Sequence, residues 1–229
     1  ELDLLLTETI KTHRAAVTRL MADSSLLAEY STFSYPVSSP EDILSFLSHN
    51  MEKDFTPLTK IAGQYQTSYS EAESAEIKYV QSFLEETLSP AFYLTPPIDD
   101  CEENVIYINP KKSSPEELFA TLGHEGYPGH LYQNVYFSLC NAPYVRYLLS
   151  FPGYSEGWGT YAEVYSYELA GLSDELTTLL ESQLLLTLAI YGKMEIGVNY
   201  NCWTKKDMVN YLSGLGIEDN YDSDALYLS

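Results

Sequence analysis

The stretch His124-Glu125-Gly126-Tyr127-Pro128-Gly129-His130 decides how this chain is read. The chain has four histidines, and two of them fall inside these seven residues, with an acid directly after the first. The other two, His13 and His49, sit in ordinary helix patterns. Zinc peptidases often hold their ion with two histidines one helical turn apart and use the glutamate between them as a base. Two imidazoles reach one ion at about 2.0–2.1 Å only if both project from the same face. A spacing of four leaves them about 40° apart on a helix, which allows that. Here the spacing is six, which leaves the rings about 240° apart on a straight helix. The histidines share an ion only if the helix breaks between them. Pro128 removes a backbone donor and clashes with the preceding turn, and Gly129 tolerates unusual dihedrals. Two residues looped out there return His130 to the place a spacing of four would give it. Glu125 then lies beside the ion and suits a general base. The plain alternative is two unrelated histidines beside a surface glutamate.

A catalytic zinc usually has three protein ligands and an open position. Downstream, Ser155-Glu156-Gly157-Trp158-Gly159-Thr160-Tyr161-Ala162-Glu163 supplies candidates. Ser155 is read as the cap of a helix running to about Gly171. Glu156 then lies in its first turn, and Glu163, seven positions later, shares its face. Glu156 is assigned as the third ligand. Glu163 is assigned to orient a ligand histidine by hydrogen bond. Gly157 and Gly159 weaken an otherwise good helix, which predicts a close approach to another element. Tyr161, Tyr107 and Tyr200 are candidates to line the site. The competing reading of this segment is an exposed acidic helix.

Around these segments the pattern is mainly helical. Leu6, Ile10, Val17 and Leu20 predict a helix over about Leu4–Met21, followed by a polar, Pro-containing connection. Ser39-Pro40-Glu41-Asp42 and Ser114-Pro115-Glu116-Glu117 both open helices, with Ser as cap and Pro in the first turn. Further helices are expected over Ala72–Leu88, Leu131–Cys140, Asp174 to about Tyr200, and Thr204 to about Gly214. Ala91–Leu94 and Val105–Ile108 are short β-prone runs, read as an antiparallel pair. No internal repeat and no linker between folded halves is visible. The chain is therefore read as one mainly α catalytic core over residues 1–229, with a small antiparallel sheet beside the motif helix.

Composition narrows the function classes. The chain has 229 residues, 45% of them hydrophobic and 20% charged, as in a globular protein rather than a disordered tail. A net charge of −21 argues against nucleic-acid binding, which needs a basic surface. No apolar run approaches the roughly 18–20 residues of a membrane span. The three cysteines, Cys101, Cys140 and Cys202, form no CxxC pair and are read as packing thiols, with one disulfide left open. Tyr is common at 21 against only 12 Lys+Arg, a hint of export.

The two motifs, HEGYPGH and SEGWGTYAE, closely resemble those of the bacterial domain-of-unknown-function 885 (DUF885) proteins, which carry HExxPGH and EGWxxYxE. That family is regarded as zinc metallopeptidases of the gluzincin type, distantly similar to carboxypeptidase Taq. The resemblance extends to SPAFYLTPPIDD (89–100), VIYINP (105–110), 118–133 and 196–203, and to a subgroup from clostridia and related Gram-positive bacteria. It implies a helical zincin-like core, truncated at both ends relative to longer members. It also implies one Zn2+ ion and a peptide substrate; the composition, not the resemblance, favours an exported or cell-surface location in a Gram-positive bacterium over a cytoplasmic one. Two positions depart from the pattern. Leu131 stands where many members have a second His, which strengthens His130. Asn199 stands where many have a downstream His, so that Asn199 or Tyr200 is left to donate to the oxyanion. In peptidases of this general type an edge strand pairs with the substrate backbone. Val105–Ile108 is the candidate strand, with Ile106, Tyr107 and Ile108 as substrate-binding residues; a purely structural hairpin is the alternative. The reading is peptide hydrolysis with His124, His130 and Glu156 on zinc and Glu125 as base. An amidohydrolase of non-peptide substrates and a catalytically silent domain stay open. Oligomeric state is not legible.

Overall fold

The computed structural model describes residues 1–65, 69, 75–97, 103–217 and 221–228. In chain order the elements begin with α1 (Leu2–Leu20), α2 (Ser24–Thr32), α3 (Pro40–Asn50) and α4 (Leu58–Tyr65). Three strands follow: β1 (Glu76–Tyr79), β2 (Ala91–Leu94) and β3 (Val105–Ile108). Then come α5 (Pro115–Glu125), α6 (His130–Leu139), a 3-10 segment at Tyr144–Leu148, α7 (Pro152–Leu169), α8 (Asp174–Asn199), α9 (Lys205–Gly214) and α10 (Ser223–Leu228). The fold is mainly α with one small sheet, as the patterning predicts. Among the described residues no helix is long and apolar enough to cross a membrane.

The chain divides into two compact units, residues 1–31 with 178–229, and residues 32–177. In the first unit Met194, Met208 and Leu212 are buried, with Trp203 and Tyr211 packed against them. α9 starts on a full capping box. Thr204 Oγ1 accepts from the Asp207 amide, and the Asp207 carboxylate accepts from the Thr204 amide. α2 falls in the stretch expected to be a plain connection. Its start is set by Asp23, whose carboxylate accepts from the amides of Ser25 and Leu26.

The second unit carries the motif helix at its centre. Phe119 and Leu122 of α5 are fully buried against Ile43 and Leu47 of α3, Ile106 of β3, and Leu131 and Val135 of α6. Burying side chains of this size stabilises by roughly 1.5–3 kcal/mol each. α5 is therefore fixed from several sides. That rigidity positions whatever its last turn presents.

The sheet corrects two expectations. It has three strands in the order β1-β3-β2, with β3 antiparallel to β2 and parallel to β1. It is mixed, not a simple antiparallel pair. The expected helix over Ala72–Leu88 does not form: residues 76–79 are β1, and residues 82–87 are turns. Tertiary pairing overrides the helical period here. The amide of Glu76 donates to Asn104 and that of Val80 to Ile108, while buried Asn109 donates to the carbonyls of Glu85 and Leu88. Residues 72–74 of that expected helix lie outside the described residues.

The cysteines also differ from one another. Cys140 is a half-buried packing thiol, whereas Cys202 is exposed at a positive φ of 57°. The packing role assigned to Cys202 is therefore wrong, because the turn after α8 faces solvent. Cys101 lies outside the described residues.

Candidate metal centre

Ser114 starts α5 by accepting a hydrogen bond from the Glu117 amide, with Pro115 in the first turn. The helix ends at Glu125, and α6 begins at His130. The break demanded by the six-residue spacing is present. The Tyr127–Pro128 peptide bond is cis. The Trp158 indole donates to the Pro128 carbonyl at 2.7 Å, and the Tyr132 amide donates to the Gly126 carbonyl at 3.2 Å. Gly129 is required for the turn, because a Cβ there would lie 1.7 Å from the His124 carbonyl oxygen. As a result the two imidazoles stand 4.8 Å apart, centroid to centroid, with their planes at 85°.

α7 supplies the facing wall. It starts four residues earlier than expected, with Pro152 in its first turn and no side-chain cap, so Ser155 lies inside the helix rather than capping it. Gly159 packs directly on His124: a Cβ there would approach Nε2 to 2.6 Å. Gly157 has no neighbour that a Cβ would meet, so the expected close approach belongs to Gly159 alone of the two. Four residues on, Glu163 Oε2 lies 3.2 Å from His124 Nδ1. On the other side of α5, the Glu125 carboxylate accepts from the Tyr93 amide of β2 at 2.8 Å.

The donor set can be tested against a metal. His124, Glu125 and His130 each offer a ligand atom, all within 4.8 Å of one another. Glu156 Oε2 lies 3.6 Å from His124 Nε2 and 3.7 Å from His130 Nε2. Ligands about 2.0–2.1 Å from a tetrahedral zinc are separated by roughly 3.4 Å along each edge. The Glu156 distances fit that figure. Glu156 and Glu125 are thus both near the two imidazoles, and Glu125 in addition accepts from the Tyr93 amide. Nitrogen and carboxylate donors in this mixture suit zinc.

The electrostatics agree with a place for a cation. Burial pulls the His124 imidazolium down, but the Glu163 hydrogen bond and the charges of Glu125, Glu163 and Glu156 outweigh it and hold His124 above its ordinary value. Glu125 is pushed above the usual carboxylate range by burial, against the Tyr93 hydrogen bond and the two histidines. Three acids thus converge on two imidazoles with no lysine or arginine in ion-pair contact among the described residues.

The other expected site residues have contacts of their own. Tyr161 is about half exposed, and its ring contacts are Trp158 and Tyr165 rather than the cluster. β3 is the central strand, paired on both edges, so Val105–Ile108 cannot receive a substrate backbone. Ile106 and Ile108 are buried in the core, and Tyr107 stacks on Phe92. The edge strand beside the cluster is β2. Asn199 and Tyr200 belong to the other unit, where Asn199 donates to Glu195 and Tyr200 is exposed. Sequence reasoning missed the Tyr93 amide, since a main-chain donor leaves no signature in residue type. It also missed the indole of Trp158 as the tie on the Pro128 turn.

Fold and site together define a mainly helical domain whose broken motif helix gathers two histidines and a carboxylate that can hold a metal ion. The chain belongs to the family described as "Bacterial protein of unknown function (DUF885)", which matches residues 10–221. Among solved structures it is similar to a "putative lipoprotein" from Colwellia psychrerythraea, with a TM-score of 0.58 and 19% identity. That likeness covers 97% of this chain and 41% of the other, so the chain spans less than half the length of its structural neighbour. No curated protein matches the chain.

Proposed function

We propose that this chain carries the centre of a zinc-dependent metallopeptidase. One observation carries the reading: Glu156 lies at zinc-ligand spacing from the Nε2 atoms of both His124 and His130. Those three side chains would hold the ion, which would supply Lewis acidity toward the scissile carbonyl and an acidified water. The protein's own residues do the rest. Glu125, anchored by the Tyr93 amide, takes the proton from the attacking water and delivers it to the amine as the C–N bond breaks. Glu163 keeps the His124 Nδ1 atom occupied so that Nε2 is the nitrogen offered to the ion. The outer edge of β2 runs beside Glu125 and suits an extended peptide added as a strand. A structural ion would need no base, so a carboxylate beside both histidines and fixed by the Tyr93 amide supports the catalytic reading.

The test is metal analysis with Glu125→Gln. The variant should keep its zinc and lose peptide hydrolysis by about 10²–10⁴-fold. Zinc retained with full hydrolysis would sink the mechanism. An exported or cell-surface location goes with this reading, supported by the tyrosine-rich, lysine-poor composition and by the lipoprotein description of the structural neighbour. Recovery of the protein only in the soluble cytoplasmic fraction would remove it.

A further inference from the structure

We propose that the cavity beside the metal centre holds the amine-side half of the substrate as a residue with a large apolar side chain and a free carboxylate, anchored by Arg146. This rests on the hydrolase reading above and narrows its substrate class. The cavity measures about 460 Å³, and His130 and Glu156 form part of its wall, so it opens on the same imidazole and carboxylate that would hold the ion. The rest of its wall is mixed: Phe137, Leu149 and Phe151 supply apolar surface beside the polar Gln133 and Asn134. That volume falls in the range of small-ligand pockets and exceeds what one aromatic side chain fills.

Among the described residues Arg146 is the only lysine or arginine lining the cavity. Its guanidinium carbon sits 5.2 Å from the centroid of the Phe137 ring, which holds the planar group against an apolar support. The chain has 33 acids and only 12 Lys+Arg. Lys11, Lys53, Lys78, Lys111, Lys193 and Lys205 each lie in ion-pair contact with a carboxylate. Arg146 makes no ion pair among the described residues. Arg146 is an exposed arginine. It lies on the wall of the cavity that His130 and Glu156 share, and its fork of donors matches a carboxylate. A polypeptide continuing through the cavity would set a neutral amide against that fork, whereas a terminal residue sets its own charge there. The free carboxylate has two sources, a peptide C-terminus and an N-acylated amino acid.

The experiment uses the zinc-loaded Glu125→Gln chain, which binds without turnover. Calorimetry compares Ala-Ala-Phe as free acid, the same tripeptide as C-terminal amide, and N-acetyl-phenylalanine. The free acid should bind about tenfold or more tightly than the amide. Arg146→Met should erase that difference while leaving the amide's affinity unchanged, and Arg146→Lys should restore part of it. Equal affinities for acid and amide, or a difference that survives Arg146→Met, overturn the proposal. The acid-to-amide ratio needs no change at Arg146, so it decides even if that variant misfolds. Hydrolysis assays on the unsubstituted chain then separate the sources: cleavage of the tripeptide assigns a peptide C-terminus, and cleavage of N-acetyl-phenylalanine alone assigns the acylated amino acid. Cleavage of the amidated tripeptide at the same rate as the acid removes the carboxylate anchor but leaves the metallopeptidase. If no substrate is cleaved, the hydrolase reading fails, and the acid-to-amide ratio still reports on Arg146.

Discussion

Glu163 Oε2 lies 3.2 Å from Nδ1 of His124, while Nε2 of the same ring faces Glu156 at 3.6 Å. The two acids thus take opposite nitrogens of one imidazole, both from α7. A metal-ligating histidine commonly donates its other N–H to a carboxylate, and loss of that partner lowers metal affinity by about 10–100-fold. Glu163→Ala should therefore weaken zinc binding by that factor in a chelator competition, with the far-ultraviolet circular dichroism unchanged. Glu163→Gln, which keeps an acceptor oxygen, should fall between. Unchanged affinity in the alanine variant would show that Glu163 does not orient the ring.

Gly159 makes a second, steric prediction. A Cβ at this position would meet Nε2, Cε1 and Cδ2 of His124 at 2.6, 2.8 and 2.9 Å. The ring is boxed in by Glu163 and by α5 itself, so it cannot simply swing away. Gly159→Ala should lower stability by about 1–3 kcal/mol through overpacking and should lower zinc affinity as well. Gly157→Ala is the control, since no atom stands near the added carbon. Helix propensity alone would make that variant slightly more stable. Urea unfolding of both variants separates the outcomes; equal behaviour would rule out the packing account.

These two glycines illustrate how far the sequence could be read. Both cost helix propensity, so the sequence flags both as near another element, yet only Gly159 touches one. Propensity reports a local cost, whereas the neighbour comes from the path of α5. His124 and His130 were legible because their chemistry is in their residue types and the Pro128-Gly129 break follows from their spacing. β1 was not, because Ile77, Val80 and Leu84 fit a helical period until β3 offers a parallel ladder. The edge position of β2 was hidden for the same reason: with only two strands in view, Val105–Ile108 had a free edge. Once β1 occupies that edge, the strand beside Glu125 can only be β2.

Ser114 tests how much the motif helix depends on its start. Its hydroxyl accepts from the Glu117 amide at 3.2 Å and donates to the Glu117 carboxylate at 2.9 Å. Ser114→Ala should cost about 1 kcal/mol in urea unfolding. Zinc affinity should hold, since α5 is also fixed by buried Phe119 and Leu122. A large loss of zinc with little loss of stability would mean that the cap, and not the core, positions His124.

Alkaline pH provides a test of the packing under α6. Burial pushes the Tyr132 hydroxyl up to about 12, with the neighbouring Tyr136 and Cys140 adding to the shift. The hydroxyl donates to the Thr56 carbonyl at 2.8 Å. A group whose folded value is raised favours the fold while it keeps its proton. Its contribution is complete below the unfolded value of about 10 and is lost as pH rises toward about 12. Tyr165, raised by burial and by its hydrogen bond to Asp54, changes in the same direction. Stability in urea should therefore decline above about pH 10. Tyr132→Phe should be less stable at pH 8, because the Thr56 carbonyl loses its donor. Its decline above pH 10 should nevertheless be shallower, since one titrating group has been removed. Parallel declines in the two proteins would show that Tyr132 ionises as freely in the folded chain as in the unfolded one.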